Sequence, residues 1–196
     1  MARKQKITAE DIAKLSPKKL IVIFIAALII YFTGGDLSFF DNGENNGNNL
    51  NNDFVQATVS RVVDGDTMSV IVGNEERRVR FLGVDTPETV HPNKPVQYYG
   101  KEASQFTKNS LTGKRIWLEY DKNPTDRYNR HLAYIWTSKP NQINESTMRE
   151  NMFNARLLLD GYAKVMMIKP NTKYKELFEK FQNEAKSSKR GLWRNE

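Results

Sequence analysis

The sequence has no cysteine among its 196 residues and only two histidines, His91 and His131. Disulfides, a thiolate zinc site, an iron–sulfur cluster and a cysteine nucleophile are therefore excluded. Any metal site is expected to use oxygen ligands. Long apolar runs are scarce too: Leu20–Phe32 has 13 residues, about 20 Å as a helix, where a spanning helix wants about 20 residues. Core-forming residues are not lacking. With 39% hydrophobic and 11% aromatic residues, wholesale disorder is excluded, and the length fits one ordinary domain with an extension.

The net charge of +7 is unevenly placed. Residues 1–53 hold six of the 30 basic and six of the 23 acidic residues, so the whole excess belongs to residues 54–196. A basic globular domain points to a polyanionic partner. Ahead of it, residues 1–19 form a basic head whose Lys18 and Lys19 predict a cytoplasmic N-terminus. Residues 20–35 are expected to be a transmembrane or signal segment, the retained anchor being preferred because no Ala-x-Ala cleavage site follows. The Asn-rich stretch 36–53 cannot bury enough apolar surface to order itself and is expected to be a flexible, disordered linker. On either reading of the segment, residues 54–196 lie outside the cytoplasm.

From Phe54 onward the pattern becomes periodic. Val55, Ala57 and Val59 alternate with Gln56, Thr58 and Ser60, as in a half-buried strand. Asp64-Gly65-Asp66 reads as a turn, Thr67–Val72 as a second strand and Glu76–Val84 as a third, stopped by Pro87. Arg115–Asp121 and His131–Trp136 read as two more. Three helices are expected: one around Tyr99, Ala103, Phe106 and Ser110; one capped by Ser146 and running past Met148, Met152, Ala155 and Leu159 to Gly161; one around Tyr174, Leu177, Phe178, Phe181 and Ala185. Five short strands with interleaved helices predict an α+β domain, a five-stranded OB-fold barrel with three packed helices, preceded by the apolar N-terminal helix and the linker. The methionine and aromatic stripes are expected to be core.

Asp64 and Asp66 flank Gly65 in one turn; Asp85 and Glu88 bracket Thr86-Pro87 in another. Either motif alone is an ordinary turn. Together, at adjacent loop ends of a barrel, they make an oxygen-rich pocket suited to Ca²⁺ or Mg²⁺. Arg80 precedes Asp85 on the same predicted strand, and Arg130 lies in the polar turn Asp126-Arg127-Tyr128-Asn129-Arg130. Guanidinium groups fork onto phosphate oxygens, so carboxylates facing two arginines suit phosphodiester hydrolysis.

Several of these segments resemble the staphylococcal nuclease (thermonuclease) family. They are Val62-Val63-Asp64-Gly65-Asp66-Thr67, Arg80-Phe81-Leu82-Gly83-Val84-Asp85-Thr86-Pro87-Glu88-Thr89, His91-Pro92, Tyr99-Gly100-Lys101-Glu102-Ala103-Ser104 and Asp126-Arg127-Tyr128-Asn129-Arg130. Order and spacing match over about Phe54–Trp193. The resemblance implies an OB-fold, Ca²⁺-dependent nuclease that hydrolyses DNA and RNA to 3′-phosphate products. It would make Asp66, Asp85 and the Thr86 carbonyl the calcium ligands, and Glu88 the general base or water-orienting group. Arg80 and Arg130 would hold the scissile phosphate, and Lys94, Arg127 and Tyr128 would contact other substrate phosphates. His91 receives no role, and the protein is expected to act as a monomer.

Two departures stand out. The family's Tyr-Gly-Arg turn reads Tyr128-Asn129-Arg130; asparagine tolerates a left-handed backbone, so Arg130 should still be placed. Ala163–Pro170 is one residue shorter and carries Met166, Met167 and Ile168 where the family has base-stacking aromatics. Weaker nucleotide binding or altered base preference is expected. The alternative reading is a nucleic-acid-binding module that has lost catalysis, and a surface protein gripping anionic polymers has only the charge behind it. The intact set Asp66, Arg80, Asp85, Glu88 and Arg130 favours the enzyme.

Overall fold

The computed structural model describes residues 54–89 and 95–195. The Leu20–Phe32 run, the 36–53 tract, His91 and Lys94 lie outside them. Among the described residues no helix is long and apolar enough to cross a membrane.

β1 (Phe54–Asp64), β2 (Thr67–Val72), β3 (Glu75–Phe81), β5 (Arg115–Thr125) and β6 (His131–Trp136) close a barrel in the order β1-β2-β3-β6-β5. The alternation in β1 puts Ala57, Val59 and Val62 inside, where Met68, Val70, Val79, Phe81, Ile116 and Leu118 meet them. β1 runs on past Ser60 because register shifts after Val59 and Val62 re-aim the strand without ending it. All strand pairs in the barrel are antiparallel except β3 with β6.

The third strand is corrected. Instead of one strand over Glu76–Val84, the chain leaves the barrel after Phe81, and β4 (Gly83–Asp85) pairs with β7 (Lys164–Met166). Gly83 makes the bend at φ 75°, and a Cβ there would meet the Phe178 ring at 2.5 Å. Glycine is thus required both by the backbone and by the helix packed against it. Arg80 and Asp85 consequently belong to different strands, and the bend folds one back onto the other.

The helices number four among the described residues: α1 (Gly100–Leu111), α2 (Glu145–Asn151), α3 (Phe153–Leu159) and α4 (Lys175–Ser187). The expected second helix is split at Met152, whose extended backbone (φ −92°, ψ 114°) bridges to Trp136 at the end of β6. Its cap is Asn144, not Ser146: Asn144 Oδ1 accepts from the Thr147 N–H at 2.9 Å while Thr147 Oγ1 accepts from the Asn144 N–H at 3.0 Å. Met148, Met152, Phe178 and Phe181 are all buried, as the stripes predict.

α1 fixes the loops that matter. Thr107 Oγ1 donates to the Gly65 carbonyl at 2.7 Å, locking the helix to the β1–β2 turn. Gly65 in turn leaves room for Thr86: a Cβ at Gly65 would lie 2.6 Å from the Thr86 hydroxyl. The two turns singled out in the sequence are therefore packed directly on one another.

Candidate active site

The β1–β2 turn and the loop after β4 meet at Asp66. Its Oδ2 accepts from the Thr86 N–H at 2.8 Å and the Thr86 hydroxyl at 3.0 Å. Arg80 Nη1 lies 3.0 Å from the same oxygen, and Arg80 Nη2 is 2.8 Å from Asp85 Oδ1. Arg80 is almost fully buried and also donates to the carbonyls of Val84 (2.9 Å) and Phe81 (3.2 Å). One guanidinium thus ties the bend after β3 to carboxylates from both loops. Five residues of unbroken strand would hold Arg80 and Asp85 about 17 Å apart; the break at Gly83 brings them into contact.

Asp64 sits beside this pair. Its Oδ1 accepts from the Gly65 N–H (2.8 Å) and the Thr89 hydroxyl (2.6 Å). Burial raises the Asp64 carboxyl above its ordinary value, and the charges of Asp66 and Glu88 add to that, against the two hydrogen bonds. Asp85 is raised by burial as well, with Asp66 and Glu88 contributing and Arg80 opposing. Both shifts have the sign expected where negative charge is crowded, a setting that favours a cation. Glu88 Oε1 accepts from the Thr89 N–H at 3.1 Å, and the Glu88 N–H is held by Gln97 at 3.0 Å.

Arg130 enters from the β5–β6 turn. Asp126 organises that turn, accepting from the N–H groups of Tyr128 (2.9 Å) and Arg130 (3.0 Å) and from Arg130 Nε (2.7 Å). Asn129 takes the left-handed conformation at φ 59°, as the substitution for glycine requires. Burial acts to raise the Asp126 carboxyl, but the hydrogen bonds from Arg130 and Tyr128 outweigh it and the net shift is downward. A depressed carboxyl contributes stability above its unfolded value and loses it as pH falls through the folded one, so this turn stays fastened until acid well below neutrality. Asp126→Ala is expected to leave Arg130 unaimed and lower the rate of any reaction Arg130 assists by at least about tenfold, as loss of positioning does. Restoration of the rate by Asp126→Asn, which keeps an acceptor, is the check on a positioning role.

Asp66, Arg80, Asp85, Thr86, Glu88 and Arg130 line one cleft of about 140 Å³. Arg127 and Tyr128 do not line it; they project from the same turn, with Arg127 Nη2 donating to the Tyr128 hydroxyl at 2.6 Å. Arg127 and Arg130 both lie over the Tyr128 ring, at 4.8 and 5.5 Å from its centroid. Met167 and Ile168, in the segment lacking the expected aromatics, pack against the core. The sequence reading missed the fastening by Asp126, although Asp-x-x-x-Arg with a turn between is a legible signal. It also missed Arg78, which lines the cleft and sits two residues from Arg80 on β3. Thr89, Thr107 and Gln97 gave no signal, since their roles depend on loop packing.

Among the described residues no three His, Cys, Asp or Glu side chains form a ready metal cage. The donors that line the cleft are hard oxygens: the carboxylates of Asp64, Asp66, Asp85 and Glu88, with Thr86 beside them. This set suits an oxygen-seeking cation that keeps several waters.

Residues 78–195 match the family described as Staphylococcal nuclease homologue. Over 137 residues the chain is 47% identical to the thermonuclease of Staphylococcus hyicus, covering 70% of this chain and 75% of that protein. The thermonuclease of Staphylococcus intermedius is 46% identical over 135 residues, 69% of this chain and 74% of its own length. Endonuclease YncB of Bacillus subtilis (strain 168) is 39% identical over 141 residues, 71% and 62% of the two chains. By sequence match and by barrel, the chain belongs to the staphylococcal nuclease family.

Proposed function

We propose that this nuclease of the staphylococcal type uses Ca²⁺ to hydrolyse the phosphodiester bonds of DNA and RNA, leaving 3′-phosphate and 5′-hydroxyl ends. The observation that carries the reading is the contact of Arg80 with both Asp66 and Asp85 in the cleft that Arg130 also lines. In the proposal, Asp66, Asp85 and the Thr86 carbonyl hold the ion. Once bound, calcium supplies Lewis-acid neutralisation of charge on the phosphate.

The chain's own groups do the rest. Arg80 and Arg130 hold the scissile phosphate and stabilise the charge that builds on its equatorial oxygens. Glu88 orients a water and takes its proton as the new P–O bond forms. The bond to the 5′ oxygen breaks, and that oxygen is protonated with help from Arg130. Arg127, Tyr128 and Lys94 contact neighbouring phosphates. With no aromatic at Met166–Ile168, base stacking worth about 1–3 kcal/mol per base is not supplied by this segment, so nucleotides bind more weakly than they would with an aromatic there. The enzyme acts as a monomer outside the cytoplasm, tethered through residues 20–35; the positive flank before that segment supports this placement.

Glu88→Ser and Arg130→Gly are each expected to lower the cleavage rate by at least about 10²–10³, as removal of a transition-state group does. Single-turnover digestion of a labelled oligonucleotide measures this. Near-normal turnover in either variant would remove that residue from the mechanism.

A further inference from the structure

Outside the catalytic set, two cations stand on the adjoining stretch of sheet. Arg78 on β3 and Arg61 on β1 are both exposed. Neither side chain makes a hydrogen bond or ion pair with any described residue. They share one row: Ser69 on β2 is the register partner of Arg61 on one side and of Arg78 on the other. The neighbouring row, Val62, Met68 and Val79, points into the barrel and is buried, while Arg78 itself reaches the edge of the cleft. The next outward row is Asp64, Thr67 and Arg80, the wall of the cleft itself.

Spacing and chemistry fit one ligand. Two residues along a strand cover about 6.6 Å, a step comparable to that between successive phosphates of an extended polynucleotide. β1 and β3 are two strand spacings apart, about 9.6 Å. Ser69 between them is small and buried, so no long side chain separates the two arginines on this row. Neither guanidinium is held by a carboxylate among the described residues, and a guanidinium forks onto phosphate oxygens. Farther along the face Glu76, held by the Ser60 hydroxyl at 3.1 Å, places a carboxylate in the way of a second such step.

Building on the nuclease reading, we propose that Arg61 and Arg78 form a subsite for one further phosphate of the substrate chain, adjacent to the scissile one. The enzyme is then a polymer-preferring nuclease whose preference is set by that single extra charge contact.

The test uses the full chain and single-stranded oligonucleotides with one, two and three internal phosphodiesters, extended on either side of a fixed cleavage point. For the wild type, kcat/KM should rise about tenfold on adding the second phosphodiester, in line with one charge-assisted contact, and little on adding the third. In Arg61→Gln/Arg78→Gln this gain should disappear. Arg78→Lys, which keeps the charge, should retain part of it. The salt slope of binding to long single strands should fall by about 1 for each arginine that contacts a phosphate. A length gain that survives intact in the double variant, or no gain in the wild type, overturns the subsite and leaves the nuclease reading standing. No cleavage of any length by the wild type overturns both.

Discussion

Arg80→Ala is expected to lower phosphodiester cleavage by at least about 10²–10³ and, unlike loss of an exposed arginine, to destabilise the fold by about 3 kcal/mol. The two effects share a cause. Arg80 is buried with Asp66, its side chain 7% and that of Asp66 8% exposed, so truncation strips a buried carboxylate of its countercharge. The carbonyls of Phe81 and Val84 lose their donor at the same bend. Denaturant unfolding reads the stability loss as a lower midpoint, and digestion by the folded protein reads the rate. Arg80→Lys separates the two roles. An ammonium meets Asp66 as a point charge, but it does not fork between Asp66, Asp85 and a substrate phosphate. Stability should therefore recover in part while the rate stays low.

The second large effect lies away from the cleft. Glu119 on β5 is 1% exposed and fully engaged. Its Oε1 accepts from Lys173 Nζ at 2.6 Å and from the Tyr174 hydroxyl at 2.7 Å, and its Oε2 accepts from Trp136 Nε1 at 2.7 Å. These bonds join the barrel to the segment leading into α4. Burial, then the charge of Glu119, holds the Tyr174 hydroxyl in its protonated, donating form far above the ordinary tyrosine range. Glu119→Ala leaves an indole N–H and a phenol O–H buried without acceptors, each penalised by about 1–3 kcal/mol. A total loss of about 3–5 kcal/mol follows for breaking a buried charged network. Thermal or denaturant unfolding measures it. Glu119 does not line the cleft, so the fraction that remains folded should cleave at the parent rate. A stability change within about 0.5 kcal/mol, the range of an ordinary surface substitution, would contradict this account of how the C-terminal helix is held.

What the sequence made legible is local. Alternation along Val55–Ser60, the Asp64-Gly65-Asp66 turn and the left-handed place for Asn129 all follow from residue types whose neighbours lie close by. The corrections fall where distant packing decides. Gly83 is the one local sign of the break in the third strand; the packing that keeps a side chain out of that position comes from Phe178, nearly a hundred residues later. The division of the second helix at Met152 answers to a bridge with Trp136 on the barrel. Glu119 alternates with Leu118 and Tyr120 as an outward-facing residue would, yet Lys173 and Tyr174 cover it.

The candidate site shows the same division. Residue types and loop positions mark Asp66, Asp85, Glu88, Arg80 and Arg130 in advance. Their convergence depends on Gly65 admitting Thr86 and on Gly83 turning the chain back, neither of which spacing alone reveals. Asp126 and Arg78 lie within a few residues of named site residues and were passed over. Their places, Arg78 at the cleft and Asp126 holding the Arg130 turn, are set by the ladder and the turn.

The most direct test of the central claim, that this oxygen-lined, arginine-faced cleft is a calcium-dependent phosphodiesterase centre, is digestion of plasmid DNA and of RNA by the full chain with calcium, with excess EGTA, and with calcium restored, together with analysis of the product ends. Both polymers should be cut to 3′-phosphate products, with cutting stopped by the chelator and recovered on adding calcium back. Undiminished cutting in EGTA, or retention of intact nucleic acid by the protein in calcium, would contradict it.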